Sequence, residues 1–243
     1  MDGRQQIGTA YDAIASAYDG HLERDGWLRR LLWEHFDGIF RPGDRVLDAG
    51  CGTGLDTLHL AARGVAVTAV DISPGMIAEL QAKLARATLK GPVDVHVGDL
   101  TELAERLAGP YDGIISSFAA LNTADLGRFS RAGKRLLRPG GRVVCHMLSP
   151  GDSAAIDAER TVHIGGQSVP HLNLGADQVY RRYFSDDFRL RSVYGQGLFM
   201  RGAIQRRIPQ RLLPLLGRLD RRIGRVPFLV SRGRFFVLDL ERR

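Results

Sequence analysis

The sequence predicts an α/β fold in which a doubly wound, mostly parallel sheet carries helices on both faces. Three observations lead to this prediction. Short apolar runs rich in β-branched residues alternate with helical stretches from residue 46 to residue 148. The first run, "VLDA", leads into the glycine loop "GCGTG", and a Pro-Gly turn precedes both the first and the last run. Strands that alternate with helices in this way form parallel sheets.

The elements follow in order along the chain. Residues 5–40 place apolar side chains at helical spacing and predict two helices that meet near Gly26. Ser73 and Pro74 are a typical N-cap and first residue of a later helix. We expect strands at residues 46–49, 65–71, 92–100, 111–118 and 142–148, and helices at residues 55–63, 74–89, 101–108 and 125–137.

After residue 148 the alternation stops. Residues 149–187 contain "TVHIGGQSV" and "VYRRYF", which indicate an insertion of short strands. Two further strands, at residues 188–200 and 234–241, bring the sheet to seven strands. A basic, leucine-rich helical stretch interrupted by Pro209 and Pro214 lies between them.

The composition is that of a globular protein, with 44% hydrophobic and 25% charged residues. The sequence contains no run of about 18 apolar residues, so we expect no membrane span. The first ten residues lack the apolar core of a signal peptide, so we expect a cytoplasmic protein. Cys51 and Cys145 have no metal-type spacing, which predicts reduced thiols and no metal site.

The positive charge is concentrated at one end of the chain. The net charge is +7, yet residues 180–243 contain 16 arginines, no lysine and five acidic residues, for a net charge of +11. The remaining residues carry a net charge of −4. The basic excess therefore belongs to the C-terminal quarter and needs an explanation of its own.

The glycine loop indicates the class of ligand. Gly50, Gly52 and Gly54 end a strand and enter a helix, where glycine lets the backbone approach a ligand closely and free N–H groups favour a negative group. A dinucleotide fingerprint would need a glycine where Leu55 stands. Asp48, inside the strand end, would repel a pyrophosphate but suits an ammonium group. The loop thus favours a ligand with one carboxylate and one amine.

Five segments in order then resemble a known family. "VLDAGCGTG", "VTAVDISPGMI", "VHVGDL", "YDGIISSFAALN" and "RLLRPGGRVV" look like the successive motifs of class I S-adenosylmethionine-dependent methyltransferases, over residues 11–148. The resemblance implies a Rossmann-like methyltransferase fold of seven strands and S-adenosylmethionine as cofactor. On this interpretation the chain is one domain, with a helical cap (1–41), a cofactor-binding core (42–148), an insertion or lid (149–187) and C-terminal strands with the basic helix (188–243).

The resemblance also implies roles for residues. Asp71 would hold the ribose diol, and Asp99 would accept a hydrogen bond from the adenine amine, with the backbone N–H of Leu100 nearby. Ile72 and Met76 would sandwich the adenine ring. The remaining cofactor residues would be Asp48 and the three loop glycines, Ser117 and Phe118 at the methionine end, and Tyr11 and Tyr18, which would close over the cofactor.

The segment after the fourth strand narrows the acceptor. "SSFAALN" stands where methylases of exocyclic base amines carry an Asn/Asp-Pro-Pro-aromatic stretch, and no catalytic cysteine pair for pyrimidine carbon is evident. The segment resembles small-molecule methyltransferases, so we expect a small organic acceptor that is a secondary metabolite, quinone-like or lipid-like. Oxygen, nitrogen and carbon methylation stay open.

The sequence gives weaker indications for the residues that would act on the acceptor than for those that would bind the cofactor. His146, at the end of the fifth strand, is the first candidate base and His21 the second. The alternative for each is an ordinary packed or surface histidine. His163 and His171, in the insertion, are the third candidates for a base near the acceptor. Arg181 and Arg182 could hold an anionic acceptor.

The basic quarter has three interpretations. It could be a helix packed on the sheet with a solvated arginine face, an amphipathic helix on an anionic membrane surface, or a contact for RNA phosphates. One alternative to the small-molecule enzyme is therefore an RNA methyltransferase that docks through this quarter. A second alternative, which does not depend on the basic quarter, is a non-catalytic cofactor-binding subunit. The oligomeric state is not predicted.

Overall fold

The computed structural model describes residues 3–22, 26–99, 102, 107–150, 160–198, 209 and 212–243. Its strands are β1 (Arg45–Ala49), β2 (Ala66–Asp71), β3 (Val93–Val97), β4 (Tyr111–Ser116), β5 (Leu137–Leu148), β6 (Arg160–Ile164), β7 (Gln167–His171), β8 (Phe188–Gln196) and β9 (Phe235–Arg242). Both cysteines are free.

The helices of the described residues run between these strands. They are α1 (Gly3–Asp12), α2 (Tyr18–Leu22), α3 (Gly26–Ile39), α4 (Leu55–Ala62), α5 (Pro74–Leu84), α6 (Leu126–Leu136), α7 (Ala176–Val179), α8 (Leu213–Ile223) and α9 (Pro227–Val230). Short 3₁₀ turns lie at Ala15–Ala17 and Ala120–Thr123. No helix in the described ranges is both long and apolar enough to cross a membrane.

Seven strands form one sheet in the order β3-β2-β1-β4-β5-β9-β8. The pairs from β3 through β5 are parallel, and β9 is antiparallel to both β5 and β8. The predicted seven-stranded, mostly parallel sheet is therefore confirmed. Two large apolar clusters cover its faces, one built around Phe36 and Val237, the other around Phe188 and Phe236.

Local signals explain the helix starts. The Ser73 Oγ accepts a hydrogen bond from the Met76 N–H at 3.0 Å and caps α5, with Pro74 as its first residue. Asp125 caps α6 in the same way. Helix α5 ends at Leu84, earlier than residue 89, and of the helix expected at 101–108 only residues 102, 107 and 108 are described.

The insertion is part hairpin and part helix. "TVHIGGQSV" forms the β6–β7 hairpin, a two-stranded sheet of its own. "VYRRYF" was expected to be a strand and is instead helical, since α7 continues as a π-helical turn at Tyr180–Phe184. Its buried residues, Ala176, Val179 and Phe184, recur at helical rather than alternating spacing, and this periodicity prevails over the β-propensity of the aromatic residues.

The N-terminal segment is fastened to the sheet's carboxyl edge by two aspartates. The Asp12 Oδ1 accepts hydrogen bonds from the Ser73 Oγ at 2.5 Å and the Gly75 N–H at 2.8 Å, which ties α1 to the start of α5. The Asp19 Oδ1 accepts from the Thr53 Oγ at 2.5 Å. Helices α1 and α2 are therefore held over the loop that follows β1.

Candidate functional site

A cavity opens at the carboxyl ends of β1, β2 and β4. The strand order reverses between β1 and β4, and ligands of doubly wound sheets bind at such a switch point. The cavity holds about 820 Å³ of empty space, part of it open to solvent, a size typical of small-molecule sites. It is lined by Arg4, Ile7, Tyr11, Tyr18, Gly50, Gly52, Asp71, Ile72, Met76, Gly98, Asp99, Ser117, Phe118, Ala120, Thr123, Ala124 and Asp125.

The structure brings most of the predicted cofactor residues to this cavity. Those that line it are Tyr11, Tyr18, Gly50, Gly52, Asp71, Ile72, Met76, Asp99, Ser117 and Phe118. Asp48 and Gly54 do not line it, and Leu100 lies outside the described residues. Seven lining residues were not predicted. The four from Ala120 to Asp125 directly follow β4, and their position at the sheet's carboxyl edge could have identified them.

The glycine loop needs its glycines for two reasons. Gly50, Gly52 and Gly54 all have positive φ, at 79°, 53° and 82°, a region that side chains disfavour. A Cβ on Gly50 would lie 2.4 Å from the Ala120 Cβ, and one on Gly54 would lie 2.1 Å from the Leu80 Cδ1. A Cβ on Gly52 would meet only Tyr18, at 3.8 Å. The loop thus packs tightly on its outer glycines and turns the backbone of Gly52 toward open space.

We expect Gly50→Ala to destabilise the fold by about 1–3 kcal/mol more than Gly43→Ala, because overpacking adds to the strain of positive φ. Gly43 is the matched control, since its φ is 92° and a Cβ there would meet nothing within 4 Å. Urea unfolding of both variants measures the difference. Equal losses would contradict the close approach of Gly50 to Ala120.

Asp71 is fixed at the end of β2 by backbone donors. Its Oδ2 accepts from the Gly52 N–H at 2.7 Å and its Oδ1 accepts from the Ser73 N–H at 2.9 Å. Burial raises the pKa of Asp71 above its usual value, although these two hydrogen bonds oppose the rise. The carboxylate therefore links the glycine loop to the start of α5 and presents its remaining lone pairs to the cavity.

A buried ion pair lies beneath the glycine loop. The Arg29 Nη1 of α3 lies 2.6 Å from the Asp56 Oδ1 of α4, and the Trp33 Nε1 donates to the same oxygen at 2.7 Å. Burial alone would raise the pKa of Asp56, but Arg29 and Trp33 hold it below its usual value. The Arg29 guanidinium also lies 4.1 Å from the centroid of the Phe118 ring, within cation–π range.

This pair opens toward the cavity through a smaller pocket. Arg29 and Asp56 line that pocket together with Tyr18, Gly50, Gly52, Ser117 and Phe118, which also line the main cavity. Neither residue was predicted from the sequence. The available signal was a carboxylate in the first turn of the helix after the glycine loop, a position that helix N-termini favour.

Asp48 lies behind the loop rather than on the cavity wall. It is 1% exposed, and its Oδ2 accepts from the Thr57 Oγ1 at 2.6 Å. Burial and the nearby negative charge of Asp56 raise the pKa of Asp48. The structure therefore gives Asp48 a supporting position between β1 and α4, not a direct contact with a ligand in the cavity.

Two tyrosines of the N-terminal segment close one side of the cavity. The rings of Tyr11 and Tyr18 meet edge to face, with centroids 6.4 Å apart. Burial raises the pKa of both hydroxyls, so both stay neutral at physiological pH. They offer hydrogen bonds and aromatic surface without adding charge.

The opposite end of the cavity carries opposite charges. The Arg4 Nε of α1 lies 3.3 Å from the Asp99 Oδ2, and Arg4 also pairs with Glu102. Ile72 and Met76 supply apolar surface there, and Met76 is 1% exposed. Arg4 is an addition to the predicted site for which the sequence offered no signal, because it precedes Asp99 by 95 residues.

His146 is not brought to the cavity, which corrects its assignment as the first candidate base. It is 1% exposed, and its Nδ1 accepts from the Phe118 N–H at 3.2 Å. Its ring packs against those of Phe118 and Phe235, which also contact each other. Burial, and then the charge of Arg29, lowers the pKa of His146 to about 3. We infer that His146 positions Phe118, a wall of the cavity, and contacts no substrate.

We expect the stability of the protein to depend on His146 in acid. Since the unfolded chain takes up this proton near pH 6.5 and the folded chain only near pH 3, unfolding becomes easier as pH falls between those values. His146→Gln should reduce the loss of unfolding free energy between pH 7 and pH 5 by about 2 kcal/mol. Urea titrations at both pH values test this, with His163→Gln on the exposed hairpin as the control. An unchanged pH dependence in His146→Gln would refute it.

The remaining acceptor candidates also lie away from the cavity lining. His163 is exposed on the β6–β7 hairpin, and His171 is buried, with its Nδ1 3.1 Å from the Val169 carbonyl oxygen. Arg181 forms an exposed ion pair with Asp177, and Arg182 is also exposed. The side chain of His21 lies outside the described residues.

Comparisons with known proteins find similarity to methyltransferases. Residues 46–141 match the family described as "Methyltransferase domain". Demethylmenaquinone methyltransferase of Symbiobacterium thermophilum is 32% identical over 153 residues, which cover 58% of this chain and 58% of that protein. Magnesium-protoporphyrin O-methyltransferase of Rhodobacter capsulatus is 44% identical over 96 residues, which cover 38% of this chain and 41% of that protein. The chain thus matches about half the length of these curated relatives.

Solved structures share the fold at greater length. A complex described as "DhpI-SAM-HEP" aligns with a TM-score of 0.65 and 18% identity, over 99% of this chain and 98% of that one. A putative S-adenosylmethionine dependent methyltransferase from Listeria monocytogenes aligns with a TM-score of 0.61 and 16% identity, over 87% and 96%. The architecture implied by the resemblance in the sequence is therefore confirmed.

Proposed function

We propose that this chain is a class I S-adenosylmethionine-dependent methyltransferase that methylates a small organic acceptor. The match of residues 46–141 to a methyltransferase domain and the shared fold support this proposal. The observation that carries the proposal is the cavity at the switch point of the sheet. Its lining joins the backbone of a glycine loop, a backbone-anchored carboxylate, Asp71, and apolar surface from Ile72 and Met76.

The lining fits the parts of S-adenosylmethionine. Asp71 would accept hydrogen bonds from the ribose hydroxyls, Ile72 and Met76 would pack on the adenine, and Asp99 would accept from the adenine amine. Gly52, at which a Cβ would have open space around it, leaves room for close approach. At the other end, Arg29 and Asp56 share a pocket with Gly52 and offer one positive and one negative group for the amino-acid part.

When bound, the cofactor supplies a methyl group on an electrophilic sulfonium, so the chain's own task is to align the acceptor and exclude water. Ser117 and Phe118 line the cavity where β4 ends, and Tyr11 and Tyr18, both neutral, line the same cavity. The histidines with described side chains all lie off this lining. From the described residues we expect any proton of the acceptor to leave to a carboxylate or to solvent, while His21, whose side chain lies outside them, stays a candidate base.

The acceptor class rests on two supports. The segment after β4 lacks the motif of exocyclic-amine methylases, and the curated relatives are named for demethylmenaquinone and magnesium-protoporphyrin, both small molecules. A small organic acceptor is thus favoured over RNA. Oxygen, nitrogen and carbon acceptors all belong in the first screen.

Isothermal titration with S-adenosylhomocysteine, with NADH as the control nucleotide, tests the cofactor. We expect micromolar binding of S-adenosylhomocysteine and none of NADH. The absence of S-adenosylhomocysteine binding would refute the cofactor assignment. A screen of phenols, quinones and lipid-like metabolites with labelled S-adenosylmethionine then tests the acceptor. Labelling of bulk tRNA instead would support the RNA methyltransferase, and binding without transfer to any acceptor would support a non-catalytic subunit.

A further inference from the structure

The exposed apolar side chains of the described residues gather in one segment. Five large apolar residues are exposed among the described residues, and four of them lie between residues 212 and 228: Leu212 at 43%, Leu215 at 63%, Leu219 at 46% and Phe228 at 69%. The first three recur at helical spacing and so share one side of α8. A concentration of exposed apolar surface of this kind marks an interaction site more often than a folding requirement.

Contacts on one face of helix α8 fix it to the rest of the protein and leave its other face exposed. Gly217 packs on Trp27 of α3, where a Cβ would lie 2.9 Å from the indole ring. Asp220 is fully buried, and its carboxylate accepts from the N–H groups of Gly197 and Leu198 at 2.7 Å each. The Gly224 carbonyl oxygen accepts a hydrogen bond from the Gly195 N–H at 2.8 Å. Two glycines and one aspartate therefore hold the helix, while Leu215 and Leu219 face solvent.

The same surface is strongly basic. Arg218, Arg222 and Arg225 are exposed and line a shallow depression together with Leu215 and Leu219. In the sequence, residues 201–225 contain eight arginines and one acidic residue. That residue is Asp220, whose carboxylate is buried against backbone donors. The charge that the described part of α8 presents to solvent is therefore positive.

We propose that α8 and α9 form a docking surface for an anionic lipid bilayer. Leucine and phenylalanine side chains would enter the acyl boundary while the flanking guanidinium groups bind lipid phosphates. RNA would use the arginines but would leave the leucines in water. A second copy of this chain would set one arginine face against another. Only the bilayer matches both the exposed apolar groups and the charge.

The test is co-sedimentation of the full chain with vesicles of phosphatidylcholine containing phosphatidylglycerol, against pure phosphatidylcholine. We expect at least tenfold stronger binding to the anionic vesicles, reduced in high salt. The variant Leu215→Ser/Leu219→Ser/Phe228→Ser should lose at least tenfold, and so should Arg218→Gln/Arg222→Gln/Arg225→Gln. The matched control, Arg86→Gln/Arg131→Gln/Arg135→Gln, removes equal charge from exposed arginines elsewhere and should stay within twofold of wild type.

Several results would overturn the proposal: no binding to anionic vesicles at low salt, an equal loss in the control variant, a mobility shift with RNA in the absence of vesicle binding, or a dimer that the leucine variant dissociates. Because the substituted side chains are exposed, circular dichroism and S-adenosylhomocysteine binding should be unchanged in every variant. The proposed function does not depend on this surface. Intact cofactor binding with failed vesicle binding would refute the docking surface alone.

Discussion

Asp71→Ala is expected to weaken the binding of S-adenosylhomocysteine by more than tenfold while the protein stays folded. The substitution removes an acceptor for the ribose hydroxyls and releases the N–H groups of Gly52 and Ser73 that hold the loop. Hydrogen bonds to a charged group contribute about 1.5–3 kcal/mol, and about 1.4 kcal/mol corresponds to a factor of ten in affinity.

Calorimetric titration measures this loss, and circular dichroism checks the fold. Asp94→Ala is the matched control, because Asp94 lies on the neighbouring strand β3 with its side chain 71% exposed and does not line the cavity. The control should bind like wild type. If Asp71→Ala retains wild-type affinity, Asp71 is not part of the binding site.

Arg29→Met is expected to lower the free energy of unfolding by about 3–5 kcal/mol, because it leaves the Asp56 carboxylate buried without its counter-charge. The side chains of Arg29 and Asp56 are only 10% and 4% exposed. Arg63→Met is the control. Arg63 also pairs with an aspartate, Asp37, but is 51% exposed, so its loss should stay within about 1 kcal/mol.

Two further measurements separate lost charge pairing from lost packing. Adding Asp56→Asn to Arg29→Met should restore part of the stability, since it removes the unpaired charge. The pKa of Asp56 is low in the folded protein, so its contribution to stability is present at neutral pH and lost as pH falls through the acid range. The difference in unfolding free energy between Arg29→Met and the wild type should therefore become smaller in acid. A deficit that is independent of pH and of Asp56→Asn would indicate packing alone.

Local signals made much of the fold and site predictable. The order of strands, the Ser73 cap and the three loop glycines each depend on neighbouring residues, and the structure has all of them. The position of His146 could not be predicted from such local signals. Both faces of β5 are buried, so the strand has no polar–apolar alternation to indicate which side chains face a site. Arg29 and Arg4 were missed because their partners are distant in sequence.

In the basic segment the sequence pattern is strong, but it predicts that the leucine side of the helix is buried, and the structure exposes that side. Leucines at helical spacing predict a buried stripe, and the interpretation of a helix with a solvated arginine face assumed one. In the structure, Leu215 and Leu219 are exposed because Gly217 allows Trp27 to approach and Asp220 satisfies two backbone N–H groups. Such a packing solution depends on residues of α3 and β8, which the helix sequence does not contain.

The inverted packing of α8 also separates two kinds of evolutionary constraint. Substitution of Gly217, Asp220 or Gly224 would disturb backbone contacts, so folding alone restricts these positions. Leu215, Leu219 and Phe228 are exposed and do not belong to the buried core. Polar residues could replace them during evolution with almost no loss of stability. In homologues that keep this helix, persistent apolar residues at the three outward positions would therefore record selection by something outside the molecule.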